Sequence, residues 1–130
     1  MRFATQLEAM SDGSRFPLDS LQTQHDGQPI VVRYDLAAIR DKMSRDELAR
    51  RPATMWRYRE LLPYADENDI VSLGENMTPL LDCPRLGSRL GLKKLWIKDE
   101  SGLPTGSFKA RGMAMAVTMA KALGVTHVGT

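Results

Sequence analysis

Ser101-Gly-Leu-Pro-Thr-Gly-Ser-Phe-Lys-Ala-Arg-Gly112 lies between two runs of different period, and the fold of the chain is read outward from it. On its N-terminal side Leu95-Trp-Ile-Lys98 alternates apolar and mixed residues as a short strand does. Asp99, Glu100, Gly102, Pro104 and Gly106 then break the pattern. On its C-terminal side Ser107 to Leu123 is rich in alanine and methionine, both strong helix formers, and closes on Gly124. Val125-Thr-His-Val-Gly-Thr130 reads as the opening of a further strand. Strand, glycine-containing loop, helix and new strand make the start of a βαβ unit, for which a parallel sheet with a right-handed crossover is expected. The helix asks for cover on more than one side, because Met113, Ala116, Val117, Ala120 and Leu123 form an apolar stripe that Ala110, Ala114 and Met119 widen.

The loop delivers Lys109 into the first helical turn, with Arg111 close behind. A helix N-terminus carries partial positive charge and unpaired N–H groups, so cations there are disfavoured by roughly 0.3–1 kcal/mol at exposed sites. Either both long side chains reach into solvent and water screens the cost, or the helix start attracts an anionic ligand that offsets both charges. In the second case the local positive field lowers the lysine pKa and frees a neutral amine as a nucleophile. The residues alone leave both open.

Upstream, Pro84-Arg-Leu-Gly-Ser-Arg-Leu90 has Leu86 and Leu90 one turn apart and Gly91 placed to end a short helix. Ile70-Val-Ser-Leu73 and Pro79-Leu-Leu81 read as extended runs flanking a loop, Gly74-Glu-Asn-Met-Thr78. Ser44-Arg-Asp-Glu47 fits a capping box for a helix to about Arg50, and Pro52 stops it. A second short helix from Thr54 carries Met55, Trp56, Tyr58, Leu61 and Leu62 before Pro63. Its aromatic residues at helical spacing are read as packing rather than a ligand cage. Ile30-Val-Val-Arg-Tyr34 has the β-branched content of a strand, and the turn former Asp26-Gly27 before it suggests a small hairpin. Residues 1–29 mix turn formers and charges with isolated apolar residues and are expected to be an irregular extension.

Thr105-Gly-Ser-Phe-Lys-Ala-Arg-Gly112, preceded by Lys98-Asp-Glu100, resembles the cofactor-lysine segment of fold-type-II pyridoxal-phosphate enzymes, and within them the threonine synthases. Met55-Trp-Arg-Tyr-Arg-Glu-Leu-Leu-Pro63 and Leu73-Gly-Glu-Asn-Met-Thr-Pro-Leu-Leu81 resemble two further segments of those enzymes, in the same order, with Asn76 where a second glycine is usual. The resemblance covers roughly residues 34–130. It implies an α/β fold of βαβ units on a parallel sheet, incomplete in this chain, with residues 30–130 the truncated N-terminal portion of a catalytic region. It also implies pyridoxal phosphate as cofactor, an amino-acid substrate, and conversion of O-phosphohomoserine and water to threonine and phosphate. Lys109 would be the catalytic, cofactor-attaching lysine and Phe108 its cofactor-binding apolar neighbour. The loop at Gly74–Thr78 would lie near the substrate carboxylate or the cofactor, or serve as a plain connector.

A lysine amine condenses with an aldehyde only when neutral, so its ordinary pKa of about 10.4 has to be depressed. The helix start, Arg111 and Phe108 are the expected sources. Dehydratases of the same fold type look more like His-Ser-Phe-Lys-x-Arg-Gly, and cysteine synthases more like Ser-Val-Lys-Asp-Arg. Pro104-Thr-Gly-Ser107 matches the threonine synthase form better. A threonine or serine dehydratase remains the alternative enzyme, and a non-catalytic remnant the alternative of another class. The family's Ser-x-Gly-Asn segment, glycine-rich phosphate loop and partner of the pyridine nitrogen are not among these residues, so the chain is expected to be a fragment with little turnover alone.

The 130 residues include 18 basic and 16 acidic side chains, interspersed, for a net charge of +2. No basic patch suited to nucleic acid or an acidic membrane results. Cys83 has no partner for an internal disulfide, and no early apolar run suggests a signal peptide or membrane span, so a cytoplasmic location is the default. His25, Cys83 and His127 are too scattered for a zinc site, and the paired cysteines of some threonine synthase relatives are missing, so no structural metal is expected. A homodimer of the full-length protein is left open.

Overall fold

The computed structural model describes residues 2–129, and its N-terminal part is a sheet. Strands β1 (Ala4–Ala9), β2 (Arg15–Phe16), β3 (Gln24–His25) and β4 (Gln28–Tyr34) lie in the order β2-β1-β4-β3, each neighbouring pair antiparallel. Asp26 and Gly27 join β3 to β4 with φ of 48° and 72°, the left-handed pair that a tight hairpin turn needs. The hairpin expected from Asp26-Gly27 and Ile30–Tyr34 is therefore present. The irregular extension expected over residues 1–29 instead contributes β1, β2, β3 and the start of β4 to this sheet, with turns and irregular chain between them and Met1 outside the described residues. A bulge hides the pattern: the register shifts between Ala4 and Gln6. Ala4 and Leu7, an odd number of residues apart, can then both be buried. With Leu18 they form a small core, against which Phe16, Ile30, Val32 and Tyr34 pack.

Asp35 caps the first helix, α1 (Leu36–Lys42), by accepting the Ala38 N–H at 2.9 Å. In α2 (Arg45–Arg50) only half of the expected capping box forms. Ser44 Oγ accepts the Glu47 N–H at 3.1 Å, but the Glu47 carboxylate turns to Arg51 Nη2 at 2.5 Å instead of back to the cap. Met55–Leu61 is a 3-10 segment with a break at Tyr58 rather than an α-helix. It is held by Arg51, whose two terminal nitrogens donate to the two Glu60 oxygens at 2.7 and 2.6 Å, and by Trp56 edge-on to Tyr64 at 5.6 Å. Trp56 is thus packing, as expected, whereas Tyr58 is exposed.

Strand β5 (Leu80–Asp82), helix α3 (Pro84–Arg89) and strand β6 (Trp96–Lys98) follow, with β5 and β6 antiparallel. The last element is the 14-residue α4 (Lys109–Ala122). The fold is thus mixed α/β, but both sheets are antiparallel among the described residues, and the expected parallel pairing is not seen. The partner of β6 lies upstream, in β5. Downstream, residues 125–129 form no strand, and Thr130 lies outside the described residues. Val125, read as the first residue of that strand, instead closes the helix. Gly124 (φ 71°) donates to Lys121 O at 3.0 Å and Val125 donates to Ala120 O at 2.9 Å, a Schellman cap. Gly91 and Leu92 end α3 in the same way.

The buried stripe of α4 is Ala110, Ala114 and Thr118: of the expected apolar surface the widening residues Ala110 and Ala114 are covered, while Met113 and Ala116 of its central stripe stay exposed. The reason lies in what covers it. Ile70–Leu73 is not a strand, so its backbone needs polar partners, and fully buried Thr118 supplies one by accepting the Val71 N–H at 3.0 Å. Lys121 Nζ adds a bond to Asn68 O at 2.6 Å. On the other side Ala116, Met119, Ala120 and Leu123 face Leu7, Leu18 and Val32 across an apolar cavity of about 450 Å³.

Candidate active site

Between β6 and α4 the chain makes a loop that its own backbone and side chains close. Ser101 N–H donates to Asp99 Oδ1 at 2.9 Å, Leu103 N–H to Glu100 O at 3.3 Å, and Gly106 N–H to Leu103 O at 2.7 Å. Leu103 is the buried anchor of the loop. Gly106 has φ 66°, a conformation that favours glycine. Lys109 then opens α4, as the sequence leads one to expect, with Phe108 at the cap position. The Lys109 side chain is exposed and its Nζ has no hydrogen-bond or ion-pair partner among the described residues. Phe108 is 68% exposed, so it gives the amine little apolar cover.

Arg111 does not act as a free positive charge. Its Nε donates to Glu100 Oε2 at 2.7 Å, its Nη2 to Glu100 Oε1 at 3.1 Å and also to Asn76 O at 2.9 Å. Thr78 Oγ1 donates to the same carboxylate, and Lys98 Nζ donates to Thr78 O at 2.5 Å. Arg111, followed by Thr78, pulls the Glu100 carboxyl down to about 2 against burial. Of the three expected sources of positive potential and desolvation at Lys109, Arg111 is paired with Glu100 and Phe108 is exposed, which leaves the helix start.

The same bonds bring the three motif segments together. Asn76 pairs with Thr54, with Met55 N–H donating to Glu75 O at 2.9 Å and Met77 N–H to Ala53 O at 2.8 Å. Asn76 avoids the left-handed conformation that its place in a glycine position suggests; Gly74 takes it instead, at φ 91°. Beside it Glu75 is buried, 2% exposed. Burial pushes its carboxyl up, but Ser72 Oγ at 2.5 Å, the Leu73 N–H at 3.1 Å, its own backbone N–H and the Arg111 charge together hold it below the usual range. A cavity of about 340 Å³ lies where these segments meet, lined by Met55, Tyr58, Met77, Lys98, Glu100 and Arg111. Lys109 is not among its lining residues. Glu100 enters the sequence analysis only as part of Lys98-Asp-Glu100 and Thr78 only as part of the Gly74–Thr78 loop; their link is not legible there, because the residues that pair with Glu100 lie 11 and 22 positions away, beyond any local period.

Residues 71–130 match the family described as pyridoxal-phosphate dependent enzyme. The chain is 45% identical over 118 residues to a threonine synthase of Methanocaldococcus jannaschii, covering 90% of this chain and 29% of that protein. It is 42% identical over 97 residues to a threonine synthase of Methanosarcina acetivorans, covering 75% of this chain and 23% of that protein. A third, from Halalkalibacterium halodurans, is 47% identical over 64 residues, or 49% of this chain and 18% of that protein. The chain thus spans less than a third of the length of these relatives. Residues 71–130 thus match the pyridoxal-phosphate dependent enzyme family, and the similarity to threonine synthases continues upstream of them.

Proposed function

We propose that the intact protein is a pyridoxal-phosphate-dependent lyase of the threonine synthase type, converting O-phosphohomoserine and water to threonine and phosphate, with Lys109 as its catalytic lysine. One observation carries the proposal. Within the stretch that matches the family, Lys109 stands exposed and unpaired at a helix start, while its neighbouring cation and the nearby carboxylate Glu100 satisfy each other. A primary amine without a competing carboxylate suits attachment to an aldehyde, so Lys109 fits the aldehyde group of the cofactor. When bound, pyridoxal phosphate supplies an electron sink for charge developing on the substrate carbons.

In this reading Lys109 would hold the cofactor and, once the substrate amine takes its place, would take and return protons at Nζ as general base and acid. Phe108 contributes an apolar flank at the cofactor. The substrate is a small amino acid. We place the enzyme in the cytoplasm and take a homodimer as its assembly; no described helix is long and apolar enough to cross a membrane.

The test is to add pyridoxal phosphate to the intact protein, reduce with borohydride and map the adduct by peptide mass spectrometry. A stoichiometric label on Lys109 is expected; labelling confined to other lysines overturns the assignment. Phosphate release from O-phosphohomoserine is the expected activity, and ammonia release from threonine in its place would make the enzyme a dehydratase.

A further inference from the structure

We propose that Glu100 and Arg111 are positioning residues which fix the cofactor lysine, an inference that rests on Lys109 having that role. The loop that delivers Lys109 begins at Glu100 and ends in the first turn of α4, and the pair joins its two ends. Without it, the loop is held by its backbone turns, by the short-range Ser101–Asp99 and Thr105–Ser107 bonds and by buried Leu103, none of which joins its two ends.

The pair also ties the helix start to the Gly74–Thr78 loop. Arg111 reaches Asn76 O, and Glu100 receives Thr78 Oγ1. Two segments distant in sequence thus meet at one carboxylate and one guanidinium. Residues two apart on a helix lie about 200° apart around its axis. Arg111 therefore anchors one side of the first turn, and Lys109 is presented from the other. Both nitrogens of the guanidinium edge are engaged, a geometry that fixes rotation as well as distance and that an ammonium does not reproduce. The exposed amine gets no such help from its own side chain, which bonds to nothing described.

The experiment measures, in the intact protein, the rate of borohydride-trapped pyridoxal-phosphate attachment at Lys109 relative to exposed Lys93 in the same sample. Arg111→Lys keeps the charge but loses the fork; Glu100→Gln keeps the shape but loses the charge. Each is expected to slow attachment at Lys109 by about tenfold, as a displaced reacting group would, while Lys93 labels as before. A loss of folding alone moves helix content and labelling at every lysine together. Thr78→Val removes one donor to Glu100 and spares the pair; its expected drop of about threefold keeps the test decisive if a charge variant does not fold. Preferential labelling of Lys109 that is unchanged in all three variants overturns the positioning role and leaves the proposed function standing. No preference for Lys109 in the unaltered protein removes the proposed function itself, and the positioning role with it.

Discussion

Because Glu100 accepts from Arg111 and Thr78, its carboxyl sits at about 2, well below the 4.5 of an unperturbed glutamate. A depressed carboxyl adds stability above the unfolded-state value and loses it as pH falls through the folded one. The contribution of Glu100 is therefore complete above pH 4.5 and disappears between about 4.5 and 2. Comparing thermal melts of the unaltered protein and Glu100→Gln across that range isolates it from the other carboxylates. The gap in melting temperature should narrow steadily towards pH 2, and a gap independent of pH would contradict the pairing. Gly106 offers a second check: with φ 66° and nothing within 4 Å of an added Cβ, Gly106→Ala meets only backbone strain. The expected cost is about 1–2 kcal/mol by urea denaturation. Residues of this kind were open to reading in advance: Gly124, Gly91 and the Asp26-Gly27 turn act through their own backbone, so their type announces their conformation. Glu100 acts through a partner 11 residues on, and neither residue type nor spacing points to the pair.

At the scale of elements, α3, α4 and the hairpin into β4 follow from propensity, period and terminators, all properties of contiguous residues. What faces α4 does not. Its apolar residues suggest a face centred on Met113, Ala116 and Val117 and widened by Ala110 and Ala114, yet the irregular Ile70–Leu73 segment covers Ala110, Ala114 and Thr118, because small side chains allow close approach and the hydroxyl satisfies Val71. Removing that hydroxyl at nearly constant shape, with Thr118→Val, leaves the Val71 N–H without its partner. A loss of about 1–3 kcal/mol is expected, with recovery in Thr118→Ser, measured by denaturant unfolding. Equal stability of Thr118→Val and the unaltered protein would mean that the stripe is held by packing alone.

Strand pairing belongs to the whole molecule, and there local order is a poor guide. The run from β6 through α4 has the sequence of a βαβ start, but β6 pairs with β5, and Val125 is taken up in the helix cap. The sequence offers Lys109 and three motif segments as the candidate site; the bonds that join those segments are not legible in it, because they are made by backbone carbonyls and by side chains far apart in sequence. The N-terminal sheet has its own core of Ala4, Leu7 and Leu18, and it meets α4 across a cavity of about 450 Å³ instead of a packed interface. Energetic coupling between them should be weak, since contacts across an open gap contribute little dispersion. Leu7→Ala removes a buried side chain from the sheet at a cost of about 2–5 kcal/mol. Amide hydrogen exchange should then quicken in β1, β2 and β4 while the amides of α4 between Ala114 and Lys121 keep their protection. Equal acceleration in both would show that the sheet and the lysine-bearing helix open as one cooperative unit, and the cavity between them would have to be closed in solution.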